Sequence, residues 1–416
     1  MSLSPSPPQV AEHLFRHEYG QLVATLVRRF GVAHLELAED AAQSALMAAL
    51  ETWTRAGVPD APSAWLYRVA HNRLTDDLRQ RANRARILAE DNTSLSEPTP
   101  TDPAASEVND DLLRMLFACC DEALPPQSQL VLALKVLLGF DSREIAARLF
   151  TSEANVYKRL KRARDRLRAQ APHLPELSRA QVASRLPGVH RVLYVLFTEG
   201  HLSSHATLSI RRELCQEAIR LATILATHPL GQTPETFALL ALMTLHLARL
   251  PARQDASGGL LLLDEQERDL WDRELIQAGM QWLARSADGD TYSRYHAEAS
   301  IASEHCLAPT FGQTRWDRVA ETYALLNRIA PSPLHTLNHA VALAEAHGPE
   351  AGLALLDRVE PPTWLDGSHM WAAVVSDLNR RCGNVHKAHQ YREAALQSAP
   401  TDAVRTLLKR RLASSS

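Results

Sequence analysis

A chain of 416 residues is too long for one small core, so two or three domains are expected. Its 45% hydrophobic and 22% charged side chains suit a folded, water-facing protein, and a formal net charge of −3 excludes a uniformly basic nucleic-acid binder. Aromatics reach only 6% while Ala and Leu abound, which favours helix over sheet, and the chain reads as all-α.

The opening MSLSPSPPQVAEHLF has no basic stretch followed by an apolar run, so no secretory signal is expected. Cys119, Cys120, Cys215, Cys306 and Cys382 form no CxxC pair. They read as buried, reduced thiols of a cytoplasmic protein.

Residues 8–88 read as a first helical block. LAEDAAQSALMAALETW (37–53) places Leu37, Ala41, Ala45, Ala48 and Leu50 near helical spacing, with acids in its first turn. RAGVPDAPS (55–63) contains Gly57, Pro59 and Pro62 and reads as a loop. Ser63 is placed to cap the next helix, AWLYRVAHNRLTDDLRQR, whose Leu66, Val69, Ala70 and Leu74 share one face. Residues 89–109 are acidic and rich in Pro, Ser and Thr, the composition of a flexible linker.

Residues 110–171 read as a second block. LPPQSQLVLALKVLLGF is a helix with prolines at its start and Gly139 at its end. A short helix, SREIAARL (142–149), a tight connection, FTSEA, and a basic helix follow, which is a helix-turn-helix layout. The basic stretch NVYKRLKRARDRLR (155–168) holds seven cations against the single acid Asp165. Val156, Leu160, Ala163 and Leu167 recur at helical spacing and form an inward stripe. Early residues of such a second helix reach base edges while flanking cations hold phosphates, which places Tyr157, Lys158, Lys161 and Arg162 for a groove.

Residues 180–416 read as further helices joined by short loops. FALLALMTLHLARL (237–250) is interrupted by His246 and Arg249 and is too short to span a bilayer, so a buried helix is expected. The acids of GGLLLLDEQERDLWD (258–272) read as a capped helix start. His201 and His205 stand four apart, but no third ligand is evident and no metal site is expected. WDRVAETY (316–323) fits the first-helix pattern of a tetratricopeptide repeat, with Val319 and Ala320 at signature sites. RCGNVHKAHQYREAALQSAP places Gly383, Ala388, Ala395 and Pro400 at the remaining spacings. Tyr391 falls one residue early, so the repeats are degenerate and a stacked array of helical hairpins is expected. No phosphate loop, dinucleotide fingerprint, nucleophile elbow or HExxH occurs, so neither an enzyme nor a cofactor is expected.

The second block resembles the fourth conserved region of bacterial sigma factors, on Leu124-Pro125, Glu144-Ile145-Ala146, Val156 and the run Arg159-Leu160-x-Arg162-Ala163-Arg164. The first resembles sigma region two, through AEDAAQSALMAALETW and AWLYRVAHNRLTDDLR. With these two regions alone the chain is similar to the extracytoplasmic-function group. LYVLFTEGH (193–201), the 258–272 segment, SPLHTLNHAVALAEAHGP (332–349) and the repeat-like end are similar to the long C-terminal extension of one subgroup. Ser44 and Leu46 depart from the region-two pattern, and His339 stands where the extension usually has Arg.

The resemblance implies a factor that brings core RNA polymerase to promoter DNA. It implies contacts to the large-subunit clamp by Asp40, Ala41, Gln43 and Met47, and to the flap by region four. It implies minus-ten contacts by Trp65, Arg68, Asn72, Arg73 and Arg79, although the residues themselves favour Trp65 as core over a stacking platform because Leu66 and Val69 share its helix, and leaves Arg81, Arg84 and Arg86 as phosphate contacts or a solvated helix end. Minus-thirty-five contacts fall to Asn155, Tyr157, Lys158, Arg159, Lys161 and Arg162, and the extension offers a surface for a regulatory protein. A helix-turn-helix activator carrying a helical-repeat sensor is the alternative.

Overall fold

The computed structural model describes residues 7–89, 105–149, 151–170, 178–201, 210–255 and 259–412. Regular structure among them is helical, as expected, apart from one isolated antiparallel bridge between Gln254 and Leu260. The chain divides into two units, Met1–Leu196 and Phe197–Ser416.

In the first unit, α1 (Pro7–Phe30), α2 (Leu35–Ala56) and α3 (Pro62–Ala89) pack on one another. Tyr19, Leu26, Leu35, Leu66 and Leu74 are fully buried at their centre. Helix α2 stops where Gly57 turns to φ +83, a region that glycine enters without a Cβ penalty. Helix α3 begins at Pro62, whose missing N–H is no loss in a first turn. Ser63 therefore lies inside the helix rather than at its cap, and its hydroxyl donates to Glu18 (2.9 Å).

Four helices follow: α4 (Ala105–Cys119), α5 (Pro126–Val136), α6 (Ser142–Arg148) and α7 (Glu153–Gln170). Helix α4 packs on α1. The helices on either side reach into the segment read as linker, so 89 and 105–109 are helical, and 90–104 lie outside the described residues. The α5 end is closed by two bonds of 3.1 Å, Phe140 N–H to Leu134 O and Gly139 N–H to Lys135 O, with Gly139 at φ +64. Helix α6 opens at once with a capping box, Asp141 accepting the Glu144 N–H (2.7 Å) and Glu144 the Asp141 N–H (3.0 Å). A stop signal running straight into a start signal gives the sharp corner between α5 and α6.

Helix α8 (Arg179–His201) belongs to the first unit as far as Leu196. It buries Val182, Leu186, Val189, Val192 and Leu193. Its Arg185 meets Asp121 at 2.5 Å, both side chains only 4% exposed. Part of the segment assigned from sequence to the extension thus completes the core of the first unit.

The second unit runs through α9 (Arg212–Thr227), α10 (Pro234–Ala248), α11 (Arg273–Ser286), α12 (Arg294–Leu307), α13 (Trp316–Ile329), α14 (Pro333–His347), α15 (Pro349–Leu356), α16 (Thr363–Asp366), α17 (His369–Arg381), α18 (Val385–Gln397) and α19 (Asp402–Arg411). Helix α10 is buried along nearly its whole length, as its composition predicts. Sequence-adjacent helices pack pairwise, α13 on α14, α14 on α15, α17 on α18. Val319, Ala320, Ala388 and Ala395 are buried, the small residues of the repeat pattern lying where helices approach. Successive apolar clusters run from Ile301 and Val319, through Leu337 and Trp371, to Ala395 and Leu408.

The 258–272 segment is not one capped helix start. Only Asp272 caps, accepting the Leu275 N–H (3.0 Å) at the head of α11. Glu265 instead takes Arg410 of α19 through two bonds of 2.9 Å. Four of the cysteines are buried and Cys382 is half-buried, and all are free thiols.

Candidate nucleic-acid and polymerase interfaces

The second helix of the helix-turn-helix is two-faced. Val156, Leu160, Ala163 and Leu167 of α7 are all buried, as are Ile145 and Ala146 of α6. Ser152 starts α7, its Oγ accepting the Asn155 N–H (3.3 Å). Asn155, Tyr157, Lys158, Lys161 and Arg162 stand exposed and Arg159 is half-buried. Tyr157 is 59% exposed, too open for a core aromatic. Lys158, Arg159, Lys161 and Arg162 enter no ion pair among the described residues.

The remaining cations of this helix have partners inside the protein. Arg164 bonds to Glu36 (3.1 Å) and to Glu39, both on α2. Arg168 reaches Glu36 (3.0 Å) and Asp165 (3.3 Å), and Arg166 lies 3.6 Å from Asp121. The basic run therefore splits by face, with its first half open to an anionic partner and its second half tied down. Sequence reading missed this division because the α2 partners of Arg164 lie more than 120 residues away.

On α2, Asp40 and Met47 are exposed and Gln43 is half-exposed, at spacings that share one helix face. Leu50, 40% exposed, continues that face beside Met47, 55% exposed, although the sequence names it only among the apolar positions near helical spacing. Two large apolar side chains in the open, flanked by polar ones, suit a protein contact. Ala41 corrects the sequence reading: it is fully buried in the α1–α3 core, so its side chain belongs to packing and not to a contact surface.

Residues 57–61 form the turn between α2 and α3, with Val58 61% exposed at its tip. Trp65 is half-buried, its ring 5.4 Å from that of Trp53, so packing holds most of it. Arg68, Asn72 and Arg79 follow on the same face of α3 and are exposed. Arg73 flanks them, 3.6 Å from Asp77, and Arg79 lies 3.5 Å from Asp76. Beneath this face His71 is buried between Phe30 and Tyr67, and burial together with Arg29 lowers its pKa. Arg81 and Arg84 are exposed farther along.

Metal-binding clusters are absent among the described residues; His205 lies outside them. None of the described helices is long and apolar enough to cross a membrane.

An open basic face on a helix-turn-helix, preceded by a three-helix block with its own polar and apolar display, defines a DNA-binding transcription protein. Comparison with known families agrees. Residues 15–84 match Sigma-70 region 2, residues 114–167 match Sigma-70, region 4, and residues 185–287 match a Family of unknown function (DUF6596). The chain is similar to an uncharacterized protein of Rhizobium meliloti (strain 1021), 34% identical over 341 residues, which covers 81% of this chain and 80% of that one. No solved structure matches it. The chain belongs to the extracytoplasmic-function sigma factors that carry a long C-terminal extension, and its class works in transcription initiation with RNA polymerase core and promoter DNA.

Proposed function

We propose that this sigma factor directs core RNA polymerase to promoters of its own through three surfaces. The α2 face of Asp40, Gln43, Met47 and Leu50 docks on the clamp of the large subunit. The 57–61 turn and the α3 face of Trp65, Arg68, Asn72, Arg73 and Arg79 hold the minus-ten strand as it melts. An asparagine can pair with a base edge, arginines can hold phosphates, and an extruded base needs such contacts to offset a few kcal/mol of lost stacking. Helix α7 reads the minus-thirty-five element while region four sits on the flap.

The observation that best supports this reading is the exposure of Tyr157, Lys158, Lys161 and Arg162 above a fully buried apolar stripe. A merely solvated helix would not have its other arginines drawn away to α2 and to Asp121 while this one face stays open. The ties from Arg164 and Arg168 to α2 hold the two DNA-reading blocks together, and reading two promoter elements at once requires their release. The helical extension offers surfaces to a regulatory protein that would bias the activity.

Reconstituted transcription tests the reading. Added to core enzyme free of other sigma factors, the protein should yield transcripts from defined start sites. Transcription that appears only when another sigma is supplied would replace this reading with that of a helix-turn-helix activator.

A further inference from the structure

Helix α19 returns to a segment that precedes it by 145 residues. Arg410 clasps that segment, donating to the Glu265 carboxylate through two bonds of 2.9 Å and to the Leu260 carbonyl at 2.7 Å. The next residue, Arg411, is placed differently. Its Nη1 lies 3.6 Å from Asp264 and its Nη2 3.6 Å from Asp377 of α17, both beyond hydrogen-bond reach. Arg411 and Asp264 make no side-chain hydrogen bond among the described residues, and their side chains are 32% and 44% exposed. A donor and an acceptor thus stand side by side with their hydrogen-bonding capacity unused.

Both groups line a cavity of about 370 Å³, whose wall draws on residues from Leu262 to Arg411. Phe311, Trp316 and Tyr323 also line it and are only half-buried, so three aromatic rings keep part of their surface uncovered. Trp316 has already given its indole N–H to the Phe311 carbonyl (3.3 Å). Burial, then Glu298, raise the pKa of Tyr323, so its hydroxyl is neutral. The aromatic side of the cavity therefore offers flat apolar surface and no charge.

On the polar side the charges cancel locally. Asp264, Glu345 and Asp377 stand in the wall with Arg381 and Arg411. Glu345 accepts from Arg381 (2.5 Å), and Asp377 accepts from Arg380 (2.8 Å). Burial, then Arg249 and Arg268, drop the wall's His305 to about 3, so its ring adds no charge. An anion would meet guanidiniums that already have carboxylates beside them, and a cation would meet carboxylates that already have guanidiniums. Two carboxylates offset the charge of Arg411, yet neither takes its N–H groups. The match is a neutral molecule with an acceptor and a donor on one edge and a flat apolar body.

We propose that this cavity binds a neutral, flat aromatic amide or lactam. Its carbonyl accepts from Arg411, its N–H donates to Asp264, and its ring lies among Phe311, Trp316 and Tyr323. A site that pairs with both halves of such an edge rejects analogues lacking one half, because a polar group is then left without a partner. The proposal stands apart from the sigma reading, because binding is measured without polymerase or DNA.

Titration calorimetry and thermal shift on the full chain test it, with 2-quinolone as the neutral lactam. N-methyl-2-quinolone lacks the N–H, 2-naphthoate is an anion of similar size, and N-methylquinolinium is the matching cation. 2-Quinolone should bind saturably at millimolar concentration or below and raise the melting temperature. The other three should bind about tenfold more weakly or not at all. Arg411→Met and Asp264→Ala should each weaken 2-quinolone binding roughly tenfold. Asp264 is exposed, so its variant should fold even if Arg411→Met does not. Val341→Phe, which narrows the cavity without touching a polar group, should abolish binding. Failure of 2-quinolone to bind, equal binding of either ion or of the N-methyl lactam, or full affinity in Asp264→Ala or Val341→Phe overturns the proposal.

Discussion

Arg164 on α7 and Glu39 on α2 form a buried ion pair, their side chains 14% and 6% exposed. Glu36 takes the second guanidinium nitrogen at 3.1 Å. Burial raises the Glu39 carboxyl to about 7; Arg164 and Lys135 pull it down, and burial prevails. The contact joining region four to region two therefore contains a carboxyl that titrates near neutrality.

Arg164→Ala should loosen this contact. Removing one partner of a buried pair strands the other, and a loss of about 2–4 kcal/mol is expected at pH 8. The loss should shrink at pH 6, where Glu39 carries a proton. Urea unfolding at the two pH values measures it, and an equal loss at both would show that the charge of Glu39 plays no part.

The pH dependence has a definite sign. A carboxyl raised from its ordinary 4.5 to about 7 favours the folded state most below 4.5, and that contribution is lost as pH rises through 7. Between pH 5 and 8, wild-type stability should fall relative to Glu39→Gln by up to about 3 kcal/mol. Parallel stability curves for the two proteins would contradict the shift.

Gly20→Ala separates helix propensity from packing. Alanine should strengthen an isolated α1 by about 1 kcal/mol. In the folded unit its Cβ would lie 2.3 Å from the Leu137 carbonyl at the end of α5, so the backbones must part. A net destabilisation of roughly 1–3 kcal/mol is expected by denaturation, together with a wider region two to region four distance between spin labels. A stabilised variant would mean that α1 and α5 do not meet this closely.

Arg162→Ala should leave folding within about 0.5 kcal/mol of wild type, because the side chain is exposed. Holoenzyme binding to a minus-thirty-five duplex should weaken by about 1–3 kcal/mol, with relaxed discrimination at one base pair. Uniform weakening across duplex variants, with a shallower salt slope, would assign Arg162 to phosphate.

The place of truncation should matter. A chain ending at 178 loses the α8 residues that cover the first core and leaves Asp121, 3% exposed, without Arg185. It should aggregate or unfold early, whereas a chain ending at 201 should melt cooperatively. Light scattering and circular dichroism compare them, and equal behaviour would show that α8 is dispensable to the first unit.

Much of the fold was legible because its signals are local. Gly139, Asp141 and Glu144 mark a helix end and a helix start within a few residues, and Val156 to Leu167 repeat at helical spacing. Ser63 misled because a hydroxyl near a helix start looks like a cap whether or not Pro62 already begins the helix. Ala41 misled because it lies among polar motif residues, although small apolar residues of a helical stripe commonly face the core.

The sequence by itself determined an all-α chain, a helix-turn-helix, and which side of α7 turns inward, because helical periodicity and capping act over one or two turns. Only the tertiary structure decided which of the seven cations in 155–168 remain open, that α8 completes the first core, and that Arg411 stands between Asp264 and Asp377. Charge pairing and desolvation depend on distance in space, and residues more than a hundred positions apart become neighbours only when the helices pack.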